Sequence, residues 1–367
     1  MNDSLSSLDL HHLVRELQVL VGARLDKAYQ GTDERKRDLL LQCNKKGMGK
    51  LLLRVIFPGF AYLAAEKPGY PRAPGPFAVF LRKRVGNARI ISVSQRGFDR
   101  ILSLGLENKN GRFILLLELL PPGNALLLND VGKIIGLLTP QRHGHRLLRG
   151  GAIYTAPPES FDTKDGSIEE LTDRLLASKK DSLVKALASD LGLGGTYAEE
   201  VCVRAALDKE AKPKKAEAEQ AAKAVKGLLD EKIAAFKTRD EVFPFSLKTR
   251  TTKADSSQRF PSFSAAIATI VPSFEENIEV AKQKTKKDKA LDVVQQQEAQ
   301  LAASVKSAEE NQAKGEAIYN NYQQVDALLT DIRQLHKERG WKAVKEKYAR
   351  TVVSIDENKG TLTIELE

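Results

Sequence analysis

The chain is poor in the residues on which metalloenzymes and disulfide-bonded scaffolds are built. Among 367 residues there are two cysteines and five histidines. Cys43 and Cys202 lie far apart, so they support neither a disulfide framework nor a thiolate metal site, and a reducing compartment fits them. His143-Gly144-His145 is the one close histidine pair outside the first helix, and two imidazoles without a neighbouring acid or thiol make a poor metal site. His11 and His12 read as ordinary helix residues. No P-loop, GxSxG elbow or dinucleotide fingerprint is present, which removes the commonest nucleotide-binding and acyl-transfer chemistries. No apolar run approaches membrane-spanning length, and Met1 to Leu10 is polar and acidic where a secretion signal would be basic and then apolar. These absences lead to an expectation of a cytoplasmic protein that binds no cofactor or metal and has no catalytic residues.

Positive charge is what the sequence has in excess. Fifty-eight Lys and Arg against 48 Asp and Glu leave a formal net charge of +10, which favours a polyanionic partner. The excess is clustered. Arg82, Lys83, Arg84, Arg89, Arg96 and Arg100 are opposed locally only by Asp99, and Arg142, His143, His145, Arg146 and Arg149 have no acid among them. Arg82, Lys83, Arg84, Arg96, Arg142, Arg146 and Arg149 are therefore candidate nucleic-acid contacts. With 42% hydrophobic and 29% charged residues the chain is globular, and its length calls for two or three domains.

Hydrophobic periodicity divides the chain. Leu10, Leu13, Val14, Leu17 and Leu20 recur at helical spacing after Ser6-Ser7-Leu8-Asp9, and Gly22 ends that helix. From about Arg24 to Thr155 short apolar or alternating runs predict about seven antiparallel strands, as a meander or sandwich: 39–42, 50–56, 88–93, 99–107, 112–119, 125–129 and 133–138. A helix over Phe77–Val85 interrupts them. Beyond Pro157 small helices are predicted over 182–189 and 196–207, with Thr196 and Glu199 as a capping box, and then one or two over 208–237. A strand at 242–247, a mobile loop at 255–258 and a short helix after Phe260-Pro261-Ser262-Phe263 follow. From about Glu275 the chain reads as a long helix with a weak coiled-coil seam through Leu291, Val294, Glu298, Leu301, Val305 and Ala308. The spacing slips before Ile318, a short helix starts at Gly340-Trp341, and residues 351–366 read as a hairpin.

Three places invite a chemical reading. In Leu191-Gly192-Leu193-Gly194-Gly195, between two helices, backbone N–H groups could cradle a phosphate, but Glu199 and Glu200 fit a purely structural hairpin equally well. Asp9 reads as an N-cap, and Asp99 with Arg100, taken to open a strand, as a solvated ion pair.

Together these motifs carry a resemblance. Ser7-Leu8-Asp9-Leu10, Val21 to Gln30, Gly97-Phe98-Asp99-Arg100-Ile101, Pro122-Gly123-Asn124, Leu193 to Cys202, Phe260-Pro261-Ser262-Phe263, Ile318 to Tyr322 and Gly340-Trp341 closely resemble the NFACT family. That family contains the nuclear export mediator factor, its fungal ribosome quality-control counterpart, bacterial RqcH and the fibronectin-binding protein A group. The resemblance implies an α+β chain. Its β-rich N-terminal domain would resemble formamidopyrimidine-DNA glycosylases, followed by a helix-hairpin-helix domain and a coiled-coil arm. Domains are then expected at 1–174, 175–238, 239–274 (a return segment packing on the first), 275–350 (the coiled coil) and 351–367.

The implied function is non-enzymatic. The protein would bind large ribosomal subunits and their rRNA while peptidyl-tRNA obstructs them, and recruit tRNA of the alanyl type for template-independent tailing of the stalled chain. A ubiquitin ligase or stalk-base protein would be met through the coiled coil, and no membrane is involved. Asp9, Asp99 and Arg100 map onto the family's tRNA-recruitment residues, which reverses the structural reading of all three. Arginine can pair a phosphate or base edge through its planar fork, and aspartate can accept from base amino groups or hold the arginine. A DNA-binding glycosylase relative is the alternative. It lacks support here because the chain begins Met1-Asn2-Asp3 where those enzymes carry Pro-Glu, and because zinc cysteines are missing. A matrix adhesin is disfavoured by the missing signal peptide. A second coiled-coil arm and the C-terminal RNA-binding domain do not appear before Glu367, so the chain is expected to be a truncated form.

Overall fold

The first helix, α1 (Ser7–Leu17), begins on a reciprocal cap: Ser6 Oγ accepts the Asp9 N–H at 3.1 Å and the Asp9 carboxylate accepts the Ser6 N–H at 2.8 Å. Ser6 is thus the N-cap, and Asp9 stands three residues inside it. This corrects the reading of Asp9 as the cap itself. Leu8, Leu10, Leu13 and Leu17 are buried, a 3-10 turn runs over Gln18–Leu20, and Gly22 (φ +87°) turns the chain into the sheet. The computed structural model describes residues 4–31, 37–144, 146–158, 160–238, 241–250, 258–349, 351–356 and 361–364, and only the backbone of 143 and 273–293.

Nine antiparallel strands follow: β1 (Arg24–Gln30), β2 (Asp38–Lys45), β3 (Gly49–Ile56), β4 (Phe60–Leu63), β5 (Arg89–Gln95), β6 (Ile101–Asn108), β7 (Gly111–Glu118), β8 (Asn124–Asn129) and β9 (Ile134–Leu137). Their order, β4-β3-β2-β1-β5-β6-β7-β8-β9, is two meanders running outward from the β1–β5 junction. The sheet therefore holds two strands more than the periodicity predicts. A bulge between Leu25 and Lys27 breaks the alternation in β1, and β4 is only four residues long. Between the meanders α2 (Pro76–Val85) buries Phe77, Ala78, Leu81 and Val85, and its Phe80 lies where a side chain at Gly136 of β9 would stand. A small hairpin, β10 (Gln141–His143) and β11 (Arg146–Leu148), follows β9.

A second core is helical. α3 (Ile168–Leu176), α4 (Leu183–Ser189), α5 (Gly194–Ala205) and α6 (Lys215–Asp230) bury Leu171, Leu175, Leu187, Val201, Ala222, Val225 and Leu228 around Tyr197. Leu171 belongs to this core and lies ahead of residue 175, where the helical domain was expected to begin. The expected Thr196–Glu199 capping box is not formed: α5 starts at Gly194 after Leu193, with no side-chain cap. Strands β12 (Phe236–Thr238), β13 (Glu241–Phe243) and β14 (Gln258–Arg259) form a three-stranded sheet, so the strand expected over 242–247 is confined to its first residues. The loop expected over 255–258 lies outside the described residues except for Gln258. α7 (Phe263–Ala268), capped by Ser262, receives the Glu16 carboxylate on the Phe263 N–H at 2.9 Å, which ties this return segment to α1.

The chain separates into two compact units, Met1–Asn277 and Ile278–Glu367. α8 (Val271–Asn320) is followed by α9 (Tyr322–Lys347), which breaks at Gly340 (φ +73°) where the sequence predicts a new helix. Lys347 Nζ donates to Asp331 at 2.8 Å, and Val325, Ile332 and Val344 are buried. The hairpin β15 (Val352–Asp356) and β16 (Thr361–Ile364) ends the described chain, its turn lying outside it. Along the expected coiled-coil seam Val294, Leu301 and Val305 are exposed, and the Leu291 side chain is not among those described.

Candidate functional site

Two apolar side chains from the first part of the protein plug into the helical core: Leu8 of α1, and Phe98 from the turn between β5 and β6. Each is followed directly by a candidate site residue, so burying Leu8 and Phe98 (0% and 2% exposed) carries Asp9 and, two residues past Phe98, Arg100 to the face of α4 and α5. Gln95 at the end of β5 fixes the arrangement. Its Nε2 donates to Ser7 O and to Asp99 O, both at 2.9 Å, clamping the start of α1 to the turn. Gln95 was not visible as a site residue in the sequence, where it falls two residues beyond the strand expected over 88–93.

Asp9, Arg100, the Ser4–Ser7 segment and the Gly192–Tyr197 turn line one cleft of about 380 Å³. Asp9 is buried in it, at 3% exposed. The Tyr197 hydroxyl donates to Oδ1, and the Ser6 N–H to Oδ2, so both oxygens are occupied. Burial pushes the carboxyl above its usual range, and the hydrogen bonds from Tyr197 and Ser6 pull against that rise. Arg100 is half-buried and donates through Nη1 to Ser4 Oγ at 2.9 Å. Desolvation depresses its pKa, although the group stays cationic. The third wall is the N-terminus of α5. Gly192 (φ +67°) and Gly194 (φ +72°) make the reversal from α4 possible, and a side chain at Gly195 would meet nothing. The turn's N–H groups receive no side-chain cap, and the first turn holds no acid.

The Asp99–Arg100 ion pair expected from adjacency is not formed. Both residues precede β6 in the turn instead of opening the strand, and the Asp99 carboxylate takes the Ser160 hydroxyl while Arg100 reaches Ser4. Asp99 is not among the residues lining the cleft.

The candidate basic contacts divide by what they touch. Lys83 and Arg84 are exposed on α2, whereas Arg82 donates Nε to Ala28 O at 2.8 Å and lies over the Tyr29 ring. Arg96 is exposed and lies 5.3 Å from the Tyr154 ring centroid. Arg142 and Arg149 are exposed on and beside the β10–β11 hairpin. Arg146 is different. Its guanidinium forks onto Glu118, which is 3% exposed, and its Nε donates to Thr155 O at 2.6 Å. Glu118 lies 28 residues away, out of reach of any local charge count. His145 lies outside the described residues.

A family profile described as NFACT N-terminal and middle domains matches residues 6–363. The archaeal Rqc2 homolog aRqcH of Methanocaldococcus jannaschii is 29% identical over 395 aligned residues, covering all of this chain and 59% of that relative. The ribosome quality control complex subunit 2 of Saccharomyces cerevisiae is 34% identical over 177 residues, covering 47% of this chain and 16% of its own length. Among solved structures, the N-terminal part of the fibronectin/fibrinogen-binding protein from Streptococcus suis superposes with a TM-score of 0.61 at 22% identity, over 74% of this chain and all of its own. A fibrinogen binding protein from Staphylococcus aureus gives 0.58 at 18% identity, over 73% of this chain and 98% of its own. At such identities these two establish a shared fold and no more.

Proposed function

The chain belongs to the NFACT family of ribosome quality-control proteins, and from that premise we propose that it is a non-catalytic, cytoplasmic tRNA-handling factor that acts on obstructed large ribosomal subunits. In this reading it recruits tRNA for template-independent tailing, with its helical pair serving as a helix-hairpin-helix and α8 as one arm of a coiled coil toward a ubiquitin ligase or stalk-base protein. The chain spans 59% of the archaeal relative's length.

One observation carries the proposal: residues from separate segments, Asp9 and Tyr197 among them 188 positions apart, converge on a single cleft that is cationic at one side and lined at another by the α5 N-terminus, which has no side-chain cap. Such a cleft suits a phosphate with an adjoining base or ribose. Arg100 supplies a fork that can meet a phosphate or base edge, and the α5 N-terminus supplies directed N–H groups and a favourable dipole. Asp9 is buried, and each of its oxygens already accepts a hydrogen bond, one from Tyr197 and one from Ser6. We assign it to holding α5 and its glycine turn against α1. Asp99, bound to Ser160, holds the turn that presents Arg100. Lys83, Arg84, Arg96, Arg142 and Arg149 supply the long-range attraction that neutralised phosphates give. Arg146 contributes by fixing β11.

The test compares binding to tRNA and to duplex DNA of equal charge at physiological salt, with Asp99→Ala/Arg100→Ala alongside. Preferential, steeply salt-dependent tRNA binding that the double variant loses, with an unchanged melting curve, is expected. Equal affinity for the two polyanions would sink the proposal.

A further inference from the structure

A second cleft of about 400 Å³ opens where α3 ends, lined by Arg174, Ser178, Lys179, Lys180 and Asp190. Its charge is not spent internally. Arg174, Lys179 and Lys180 are exposed, and among the described residues none is in an ion pair. The one carboxylate in the wall, Asp190, accepts the Ser178 hydroxyl. Three cations against one acid leave two uncompensated positive charges facing a concave surface. Arg174, in the last turn of α3, also offsets that helix's C-terminal dipole. Lys179 and Lys180 lie beyond the helix in the following loop, and one cation would satisfy its end.

The two clefts lie on the same helical pair. Ala188 of α4 and Gly192 line the first and Asp190, between them in sequence, lines the second, so residues at the end of α4 contribute to both clefts. We propose that the Arg174–Lys179–Lys180 cleft is a second nucleic-acid site, which takes the sugar-phosphate backbone of the RNA strand continuing from the first cleft. This rests on the tRNA-binding reading of the protein.

The donors favour a strand over a lone anion. Two lysines on flexible stems act as point charges in an open cavity, and the one arginine lies beside the Phe161 ring, 5.9 Å from its centroid. A single phosphate needs directed, pre-organised donors. A strand that carries one negative charge about every 3.4 Å needs only positive potential in the right place. The contact is thus independent of sequence: it sets affinity and register while the first cleft supplies selectivity.

The experiment measures the salt dependence of tRNA binding by fluorescence anisotropy for the whole chain, for Lys179→Glu/Lys180→Glu, and for a control pair, Lys215→Glu/Lys232→Glu, exposed elsewhere on the helical part. Each lost phosphate contact lowers the slope of log K against log salt by about 0.7–0.9, so the cleft variant is expected to lose about 1.5 in slope and roughly tenfold in affinity near 150 mM salt. Arg174→Gln should lower the slope by about half that amount. The control is expected to lose less than the cleft pair in both quantities, with all melting curves alike. A cleft variant indistinguishable from the control overturns the proposal. So does a cleft that binds inorganic phosphate, seen as a melting shift absent from the variant, while the RNA slopes coincide. Failure of the functional reading looks different: the unaltered chain then prefers no tRNA over duplex DNA, and the cleft is still judged by the slope difference on whichever polyanion binds.

Discussion

Replacing Tyr197 by Phe removes one oxygen that reaches no solvent and tests whether Asp9 acts by position. The Tyr197 side chain is 2% exposed, and its hydroxyl donates to the Asp9 carboxylate inside the protein. A hydrogen bond to a buried charged group is worth about 1.5–3 kcal/mol. A loss of about 2 kcal/mol corresponds to roughly 4–8 °C in Tm for a unit of this size. The cost should depend on pH. Burial already raises the Asp9 pKa, and losing the hydroxyl raises it further. A carboxyl whose folded value lies above its unfolded one contributes stability at low pH that is lost as pH rises through the folded value. The variant's deficit is therefore largest near neutral pH and shrinks under acid, where a protonated Asp9 no longer needs the donor. Denaturant unfolding at several pH values, with Asp9→Asn and the double variant, measures this. The double variant should cost little more than Asp9→Asn alone. On the RNA side, Tyr197→Phe should weaken tRNA binding nearly as much as Asp9→Asn, although its hydroxyl cannot touch RNA. Full tRNA affinity in Tyr197→Phe beside a severe loss in Asp9→Asn would refute the positioning role.

Three other outcomes follow from particular contacts. His12 is fully buried, with Nε2 on Leu228 O at 2.9 Å and Arg15 Nη1 at 3.3 Å from Nδ1, and burial lowers its pKa to about 4. The unfolded chain takes up this proton near pH 6.5, so stability is full above that value and falls towards pH 4 by as much as about 3 kcal/mol. Denaturation midpoints across that window should fall for the protein and flatten in His12→Gln. Arg146→Ala strands Glu118 as a buried charge and should cost about 3 kcal/mol of stability with little change in the slope of tRNA binding against salt, whereas Arg142→Ala with Arg149→Ala should reduce that slope and leave Tm unchanged. Arg100→Lys keeps the charge but loses the fork, so the salt slope should hold while the preference for tRNA over duplex DNA declines. Full preference retained by the Arg100→Lys variant would remove the fork from the account.

The sheet was legible where its strands are apolar runs or alternate. β2, β3 and β5 to β9 stand close to where apolar periodicity places them, because each buries a face against the core. β1 was hidden by its bulge and β4 by its length. The α5 start was misplaced by two residues: Thr196 and Glu199 have the spacing of a capping box, but Gly194, in a left-handed conformation, lets the helix begin earlier. Charges were legible only locally. Composition exposed the basic clusters, but the Arg146–Glu118 pair joins β11 to β7, and only tertiary structure shows that this arginine is engaged.

The site's logic explains why its polar residues looked ordinary in the chain. An aspartate after a leucine at a helix start, and an Asp-Arg pair after a phenylalanine in a turn, each have a sufficient local explanation. Neither reading notices that Leu8 and Phe98 are the residues through which the sheet-bearing part grips the helical core. Once both are buried there, the next one or two residues of each segment have little freedom, since successive Cα atoms are about 3.8 Å apart. Asp9 must face α5, and Arg100 must stand beside its glycine turn. The same contacts that join the two cores therefore assemble the cleft, and a substitution that loosens either apolar plug should disturb tRNA binding before any cleft residue is changed.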